Sequence, residues 1–345
     1  MFLTYKFRIK DATTARHLDK MAKAVSFVWN YCNATSLKAW KDNRDWLSNF
    51  DLNYLTAGTS KDLRLQARTI NIICQEHAQN RNQIKKAKLK WRTDKSLGWI
   101  PFSSNAIKIK ENYVTYLKQK FRFWDSRKIE GTLKCGSFNQ DARGRWYVNF
   151  VCEVEDLPNK GTEVLGIDLG LKTQITISNG IKHERSNLTK DFEDSLAMAQ
   201  RAGKKKKARN IHAKIKNKRK DWAHKVTTEI ANSSKELYVG DVSSSKLTRT
   251  KMAKSVNDSG WYQIKTLLQY KAIRLGAIYT EVDERYSTRT CSSCGFATGP
   301  QGLSGLGVRQ WTCSNCNALH DRDVNAAKNI LIAGMGQHTP IKGIS

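Results

Sequence analysis

Two short cysteine pairs limit the folds open to this chain more than any other feature. Cys291 and Cys294 stand in CSSC, Cys313 and Cys316 in CSNC, and eighteen residues separate the pairs. Each CxxC sets two thiols on one tight knuckle, and two knuckles at this spacing match a four-cysteine ribbon closed around tetrahedral Zn(II). Four thiolates leave no position for water, so such a zinc holds a fold and does no chemistry. Two disulfides are the alternative, and they belong to oxidising compartments. The opening MFLTYKFRIKD lacks the apolar run and small-residue cleavage site of a signal peptide. No stretch approaches the roughly 20 apolar residues of a membrane span. A cytoplasmic protein with no membrane partner is expected, with Cys32, Cys74, Cys135 and Cys152 as scattered reduced thiols.

Charge narrows the function. Lys and Arg number 60 against 31 acids, a formal +29, far beyond what solubility requires. A polyanion partner follows. Ten Trp, eleven Tyr and eleven Phe are interleaved with the basic residues, which suits a protein that wraps a nucleic acid and stacks on some bases. A structural RNA-binding protein of the ribosomal kind would carry the same charge. The densest run is RAGKKKKARNIHAKIKNKRK, residues 201–220. Its bland reading is a solvated helix face; its functional reading is contact with phosphates through Lys204, Lys205, Lys206, Lys207 and Arg209. Lys172, and Arg309 in the Gly-rich loop between the cysteine pairs, join that set.

At 345 residues the chain has room for two or three modules. MFLTYKFRIK alternates as a strand, helical spacing runs over residues 13–40, and a second helical tract over 61–90 is apolar early and basic late. Strand signals return over 99–156, including GTLKCGSFNQ and WYVNFVCEVE joined by the turn DARGR. Strand, helical lobe and strands predict an antiparallel β-module of the oligonucleotide-binding kind interrupted by helices. From residue 163 an α/β order begins: VLGIDLG as an apolar strand, a hairpin turn at Asn179-Gly180, a helical stretch over 191–234, the strand ELYVGDV, a helix over 261–275, the strand AIYTEVDE, and a last helix, HDRDVNAAKNILIAG, capped by Asp321 and stopped at Gly334. These are the elements of a ribonuclease-H-like sheet.

Open α/β sheets bind ligands at the carboxyl ends of their strands, which draws attention to Asp168. A turn residue between glycines is the lesser alternative on position alone. Asp323 lies in the first turn of the last helix, where an acid also complements the helix dipole. Together they fit a two-metal phosphodiester hydrolase, which needs about three carboxylates for two Mg(II) ions. Two acids are too few.

With GIDLG, DWAHKVTTEIA, YVGDVSSSKL and the cysteine pairs before HDRDVNAAKNIL on the page, the chain resembles TnpB, the transposon-encoded RNA-guided nuclease family related to type V CRISPR effectors. The resemblance implies an α/β, RNase H-like RuvC domain with an inserted zinc ribbon, preceded by an antiparallel β-barrel wedge module interrupted by a helical recognition lobe. In residues, that is a wedge strand at 1–12, a recognition lobe at 13–98, the wedge β-module at 99–160, nuclease parts at 161–286 and 320–334 around a target-nucleic-acid-binding zinc ribbon at 287–319, and a tail at 335–345. It implies a guide RNA and a DNA target as partners, a short target-adjacent motif, structural Zn(II), and two catalytic Mg(II) ions. By motif match Asp168 is the first catalytic acid and Asp323 the last.

The middle acid departs from the family pattern, for Gly240 stands where a Glu is usual. Three readings compete. Glu284, at the tip of the neighbouring strand, supplies the carboxylate; or Asp241, which regular alternation turns to the opposite face, supplies it; or the site is incomplete and the chain is an RNA-guided DNA-binding repressor that does not cut. The expected set is Asp168, Glu284 and Asp323.

Overall fold

The computed structural model describes residues 1–10, 12–184, 188–242, 259–301 and 304–336. The second half of YVGDVSSSKL and most of the carboxy-terminal tail lie outside them. The chain divides into two compact units, Met1–Glu155 and Asp156–Ser345.

In the first unit, β1 (Phe2–Arg8) is separated from the other strands by four helices, α1 (Ala12–Asn43), α2 (Asn49–Leu55), α3 (Ser60–Leu63) and α4 (Ala67–Ile84). Then come β2 (Trp99–Ser103), β3 (Ile107–Lys110), β4 (Tyr113–Tyr116), β5 (Gln119–Arg122), β6 (Thr132–Gln140) and β7 (Trp146–Glu153). They form an antiparallel sheet in the order β1-β7-β6-β2 and a small β3-β4-β5 sheet, joined by a bridge between Ile9 and Phe123. Phe7, Phe102, Phe121, Phe123, Phe138 and Phe150 are fully buried between them. Alternation explains this: along WYVNFVCE every second residue, from Trp146 to Cys152, is buried.

The tract over 61–90 is not one helix. It breaks after Leu63 and ends at Ile84, where Lys85 takes a left-handed backbone (φ 54). The following basic segment lies along α1 instead, because two asparagines bracket it. Asn33 donates to the Leu89 carbonyl and accepts its N–H, both at 2.9 Å, and Asn30 does the same for Arg92 at 2.7 and 2.9 Å. These bonds replace the helical ladder that a run of like charges supports poorly.

The second unit is built on one five-stranded sheet, ordered β10-β9-β8-β11-β12. β8 (Glu163–Asp168), β11 (Ser234–Gly240) and β12 (Ile278–Val282) run parallel, while β9 (Ile175–Ile177) and β10 (Lys182–His183) fold back from β8. The helical stretch over 191–234 is three helices, α5 (Leu188–Asp191), α6 (Glu193–Arg201) and α7 (Lys205–Ser233). The break between α6 and α7 falls at Gly203, whose φ of 63 suits a residue without Cβ. Next come α8 (Trp261–Arg274), a β13–β14 ribbon (Gln310–Thr312 with Leu319–Asp321) and α9 (Arg322–Gly334). Leu165, Ile167, Leu237, Val239, Trp261, Ile264 and Leu268 belong to the unit's main core.

α9 lies directly on the sheet. A Cβ on Gly166 would fall 2.2 Å from the Ala327 carbonyl oxygen, so only glycine lets the helix backbone approach β8 this closely. Asp321 caps α9 by accepting the N–H groups of Asp323 and Val324, as the sequence predicts.

Candidate active site

Register decides which side chains can meet. Val239 pairs with Ile167 in the parallel β8–β11 ladder, which sets Gly240 beside Asp168 at the carboxyl ends of the two strands. Gly166 faces α9, and period-two alternation turns Asp168 to that same face. A Cβ on Gly240 would point there too, 3.1 Å from Cδ1 of Ile330 on α9.

The place of that missing side chain is taken. Oε2 of Glu284 lies 2.9 Å from where the Gly240 Cβ would be, and the Glu284 Cβ at 3.4 Å. Glu284 does not end the strand, as the sequence predicts, because β12 stops at Val282 and Glu284 follows two residues later. From that loop its carboxylate turns back over Gly240. Asp241, one residue past the gap, is exposed, donates its N–H to the Val282 carbonyl at 2.9 Å and accepts the Glu284 N–H at 3.3 Å.

Electrostatics ties Asp168 to the other two acids. Burial, then the charges of Glu284 and Asp323, push the Asp168 carboxyl up to about 7, with Arg322 opposing. Burial, then Asp241, pushes Glu284 up to about 7 as well, with Lys265 opposing. Two carboxylates held this far above their ordinary range mark a site short of positive charge. Arg309 brings a guanidinium to Asp323, its Nη1 sitting 3.5 Å from both carboxylate oxygens. At that length it is a loose contact.

Asp323 is held from behind. Burial works to raise the Asp321 carboxyl, but the Lys182 ammonium at 2.7 Å and the two capping N–H groups bring it below its ordinary value. That leaves Asp321 committed to the cap, with Asp323 one residue into the helix. Asn325, fully buried, donates to the Ser287 and Thr290 carbonyls and accepts the Ser292 N–H, and Asn329 donates to the same two carbonyls. These links fasten α9 to the first cysteine knuckle. Sequence reasoning missed them; their only trace was two asparagines four apart on one face of α9.

The cysteine cluster itself forms. Ligand atoms of Cys291, Cys294, Cys313 and Cys316 all lie within 4.8 Å of one another, the one such group of metal-ligating side chains among the described residues. Sγ of Cys291 is 3.7 Å from that of Cys316, and Cys294 is 3.6 Å from Cys313. A tetrahedron with Zn–S of about 2.3 Å has edges of about 3.8 Å, so the four sulfurs fit zinc. His320 also escaped the sequence reading. Its Nε2 stands 3.0 Å from Sγ of Cys291 and its ring stacks on Trp311 at 4.7 Å, where it orients the ligand from outside. The carboxylates of Asp168, Glu284 and Asp323 are set more widely apart than the thiols.

The basic residues expected to meet nucleic acid are all exposed: Lys172, Lys204, Lys205, Lys206, Lys207, Arg209 and Arg309. Lys204 is the N-cap of α7 and three more lysines fill its first turn. That end of a helix dipole is already positive, so the arrangement costs stability unless an anion covers it.

The chain is similar to several known proteins. A family model described as "Probable transposase" matches residues 149–251, and one described as "Cas12f1-like, TNB domain" matches residues 261–330. A "Putative RNA-guided DNA endonuclease" of Streptomyces pristinaespiralis is 34% identical over 57% of this chain and 52% of its own length. "Putative RNA-guided DNA endonuclease InsQ" of Escherichia coli (strain K12) is 27% identical over 62% and 60%. "TnpB-like protein L79" of Acanthamoeba polyphaga mimivirus is 26% identical over 59% and 44%. The expected resemblance to the TnpB family is borne out. The chain spans about half the length of these curated relatives. Among solved structures, one titled "Cryo-EM structure of the Cas12f1-sgRNA-target DNA complex" superposes with a TM-score of 0.60 over 93% of this chain and 83% of that one. At 14% identity the likeness is one of fold.

Proposed function

We propose that this chain is an RNA-guided DNA endonuclease that hydrolyses phosphodiester bonds at Asp168, Glu284 and Asp323. The observation that carries this is the Glu284 carboxylate lying over Gly240, beside Asp168 on the face of the sheet that α9 covers. A carboxylate lost from one strand tip is restored from the next, which gives a reason for glycine at 240. The strand order and parallel core support an RNase H-like RuvC unit over 161–286 and 320–334, with the ribbon at 287–319 inserted. Residues 1–12 and 99–160 then serve as the wedge, 13–98 as the recognition lobe and 335–345 as a tail.

The donor set is chemically right for Mg(II). Three carboxylates, two of them raised to about 7 by burial and by neighbouring acids, offer hard oxygens and unbalanced negative charge. Two ions about 4 Å apart are the usual complement of a phosphodiesterase built on such acids. Mg(II), when bound, supplies an activated water and stabilises the leaving oxygen. Asp168 and Glu284 would hold ions from the strand ends and Asp323 from the helix start. Arg309, swung off Asp323, would meet the phosphate being cut. Lys172 and the lysines opening α7 would take guide or heteroduplex phosphates, leaving base pairing to read sequence. Zn(II) on the four cysteines would fix the knuckle to which α9 is fastened.

No helix among the described residues is long and apolar enough to cross a membrane; a cytoplasmic, DNA-associated protein is part of the same reading. The test is purification of the ribonucleoprotein, sequencing of the RNA that copurifies, and incubation with a plasmid library. A defined small RNA and cuts at guide-matched sites are expected, with cutting but not target binding lost in Asp168→Ala. Binding without cutting by the unaltered chain would leave a repressor, and RNA of no defined sequence would leave a structural RNA-binding protein.

A further inference from the structure

We infer that Asp241 is a positioning residue for Glu284, acting through an acceptor oxygen and not as a metal ligand. This rests on the proposed role of Glu284. The need arises from the chain's own geometry. β12 ends at Val282, so residue 284 has no ladder to hold it, and a side chain that must reach across to Gly240 needs its backbone fixed. Asp241 supplies the fixing twice. Its N–H carries the β11–β12 pairing one step further by donating to the Val282 carbonyl at 2.9 Å, and its Oδ1 accepts the Glu284 N–H at 3.3 Å. The two bonds embrace residue 283 and set the direction in which the chain leaves the sheet.

The other acid in the loop is already committed. Asp283 accepts the Arg285 N–H at 3.0 Å and pairs with its guanidinium, with Nε at 2.6 Å. Asp241 is thus the acceptor that meets the Glu284 N–H. Its carboxylate is exposed and turned to that N–H, whereas the acids felt by Asp168 are Glu284 and Asp323. The negative charge of Asp241 works against the Glu284 carboxylate. An amide oxygen at this position would still accept the N–H, in a weaker bond offset by the loss of that repulsion. Gly240 and Asp241 therefore form one seat: the first leaves the volume for the carboxylate, the second anchors the backbone that delivers it.

The inference separates two substitutions that a ligand role would not separate. Mn(II) affinity of the full chain, read by EPR titration with Asp168→Asn as background, and single-turnover cleavage by the ribonucleoprotein are measured for Asp241→Asn, Asp241→Ala and Glu284→Gln. Asp241→Asn is expected within threefold of the unaltered chain in both. Asp241→Ala is expected to weaken Mn(II) binding and slow cleavage about tenfold, with target affinity unchanged. Glu284→Gln is expected to lose both. Asp241→Ala matching the unaltered chain while Glu284→Gln fails would overturn the positioning role and leave the site intact. Asp241→Asn failing as badly as Asp241→Ala would make Asp241 a ligand and overturn it too. Glu284→Gln behaving as the unaltered chain would overturn the reading of the site itself.

Discussion

A partly buried acid kept for function should weaken the protein that carries it, and Asp168 allows this to be worked through. Its carboxyl rises from an ordinary 3.8 to about 7. The sign follows from linkage: when the folded pKa is the higher one, the stability is whole below about pH 4 and is lost as pH rises to about 7. The full shift corresponds to about 4 kcal/mol at roughly 1.4 kcal/mol per pH unit. Asp168 is only half-buried and shares its repulsion with Glu284, so about 2 kcal/mol is the expected share. For a unit of this size that is about 4 to 8 °C in Tm. The assay is thermal unfolding of the unaltered chain and Asp168→Asn at pH 4.5 and pH 8, without Mg(II) and without chelator, so that any loss of zinc at the acid end is common to both chains. The advantage of the Asn variant should grow by most of that amount from pH 4.5 to pH 8, and added Mg(II) should reverse it, because only the unaltered chain gains from binding the ion. A difference that does not change with pH would refute the electrostatic reading of the site.

Four further outcomes follow from the same geometry. Gly166→Ala places a Cβ 2.2 Å from the Ala327 carbonyl oxygen, a backbone atom that cannot step aside, and should cost about 3 kcal/mol in thermal or urea unfolding and abolish cutting. Gly180→Ala, with open space but φ 94, should cost only about 1 kcal/mol. Cys294→Ser should abolish stoichiometric zinc by elemental analysis and also lower cleavage, since Asn325 and Asn329 carry the knuckle's position to α9 and so to Asp323. Replacing Lys204 to Lys207 by Gln should stabilise α7 slightly by circular dichroism, yet weaken RNA binding and reduce its salt slope by about 3.

What the sequence revealed and hid divides along the range of the forces involved. The β6–β7 hairpin was readable because alternation and a turn are local, and so was α9, whose cap Asp321 lies three residues from the N–H of Val324 it accepts. The end of α4 was not, since the residues that draw the 85–92 segment out of helix are Asn30 and Asn33, more than fifty positions away. The split of α6 from α7 was missed although Gly203 was visible, because the helical spacing on both sides outweighed one glycine. At the site, strand order suggested Glu284 as the neighbour of Gly240. It could not show that the strand stops short, or that the carboxylate folds back over the glycine from a loop. That fact depends on the space above one Cα, which no pattern of residue types encodes. The same holds for His320 against Cys291, a contact made by the fold of the ribbon.

The most direct measurement of the central claim is the cleavage rate of guide-loaded Glu284→Gln on a matched target. The substitution keeps the size and shape of the side chain over Gly240 and removes its charge. A fall of at least about a hundredfold, equivalent to about 2.7 kcal/mol of barrier, with target binding unchanged is predicted. A rate within a few-fold of the unaltered protein would contradict the account, and with it the assignment of residue 284 as the acid that completes the site.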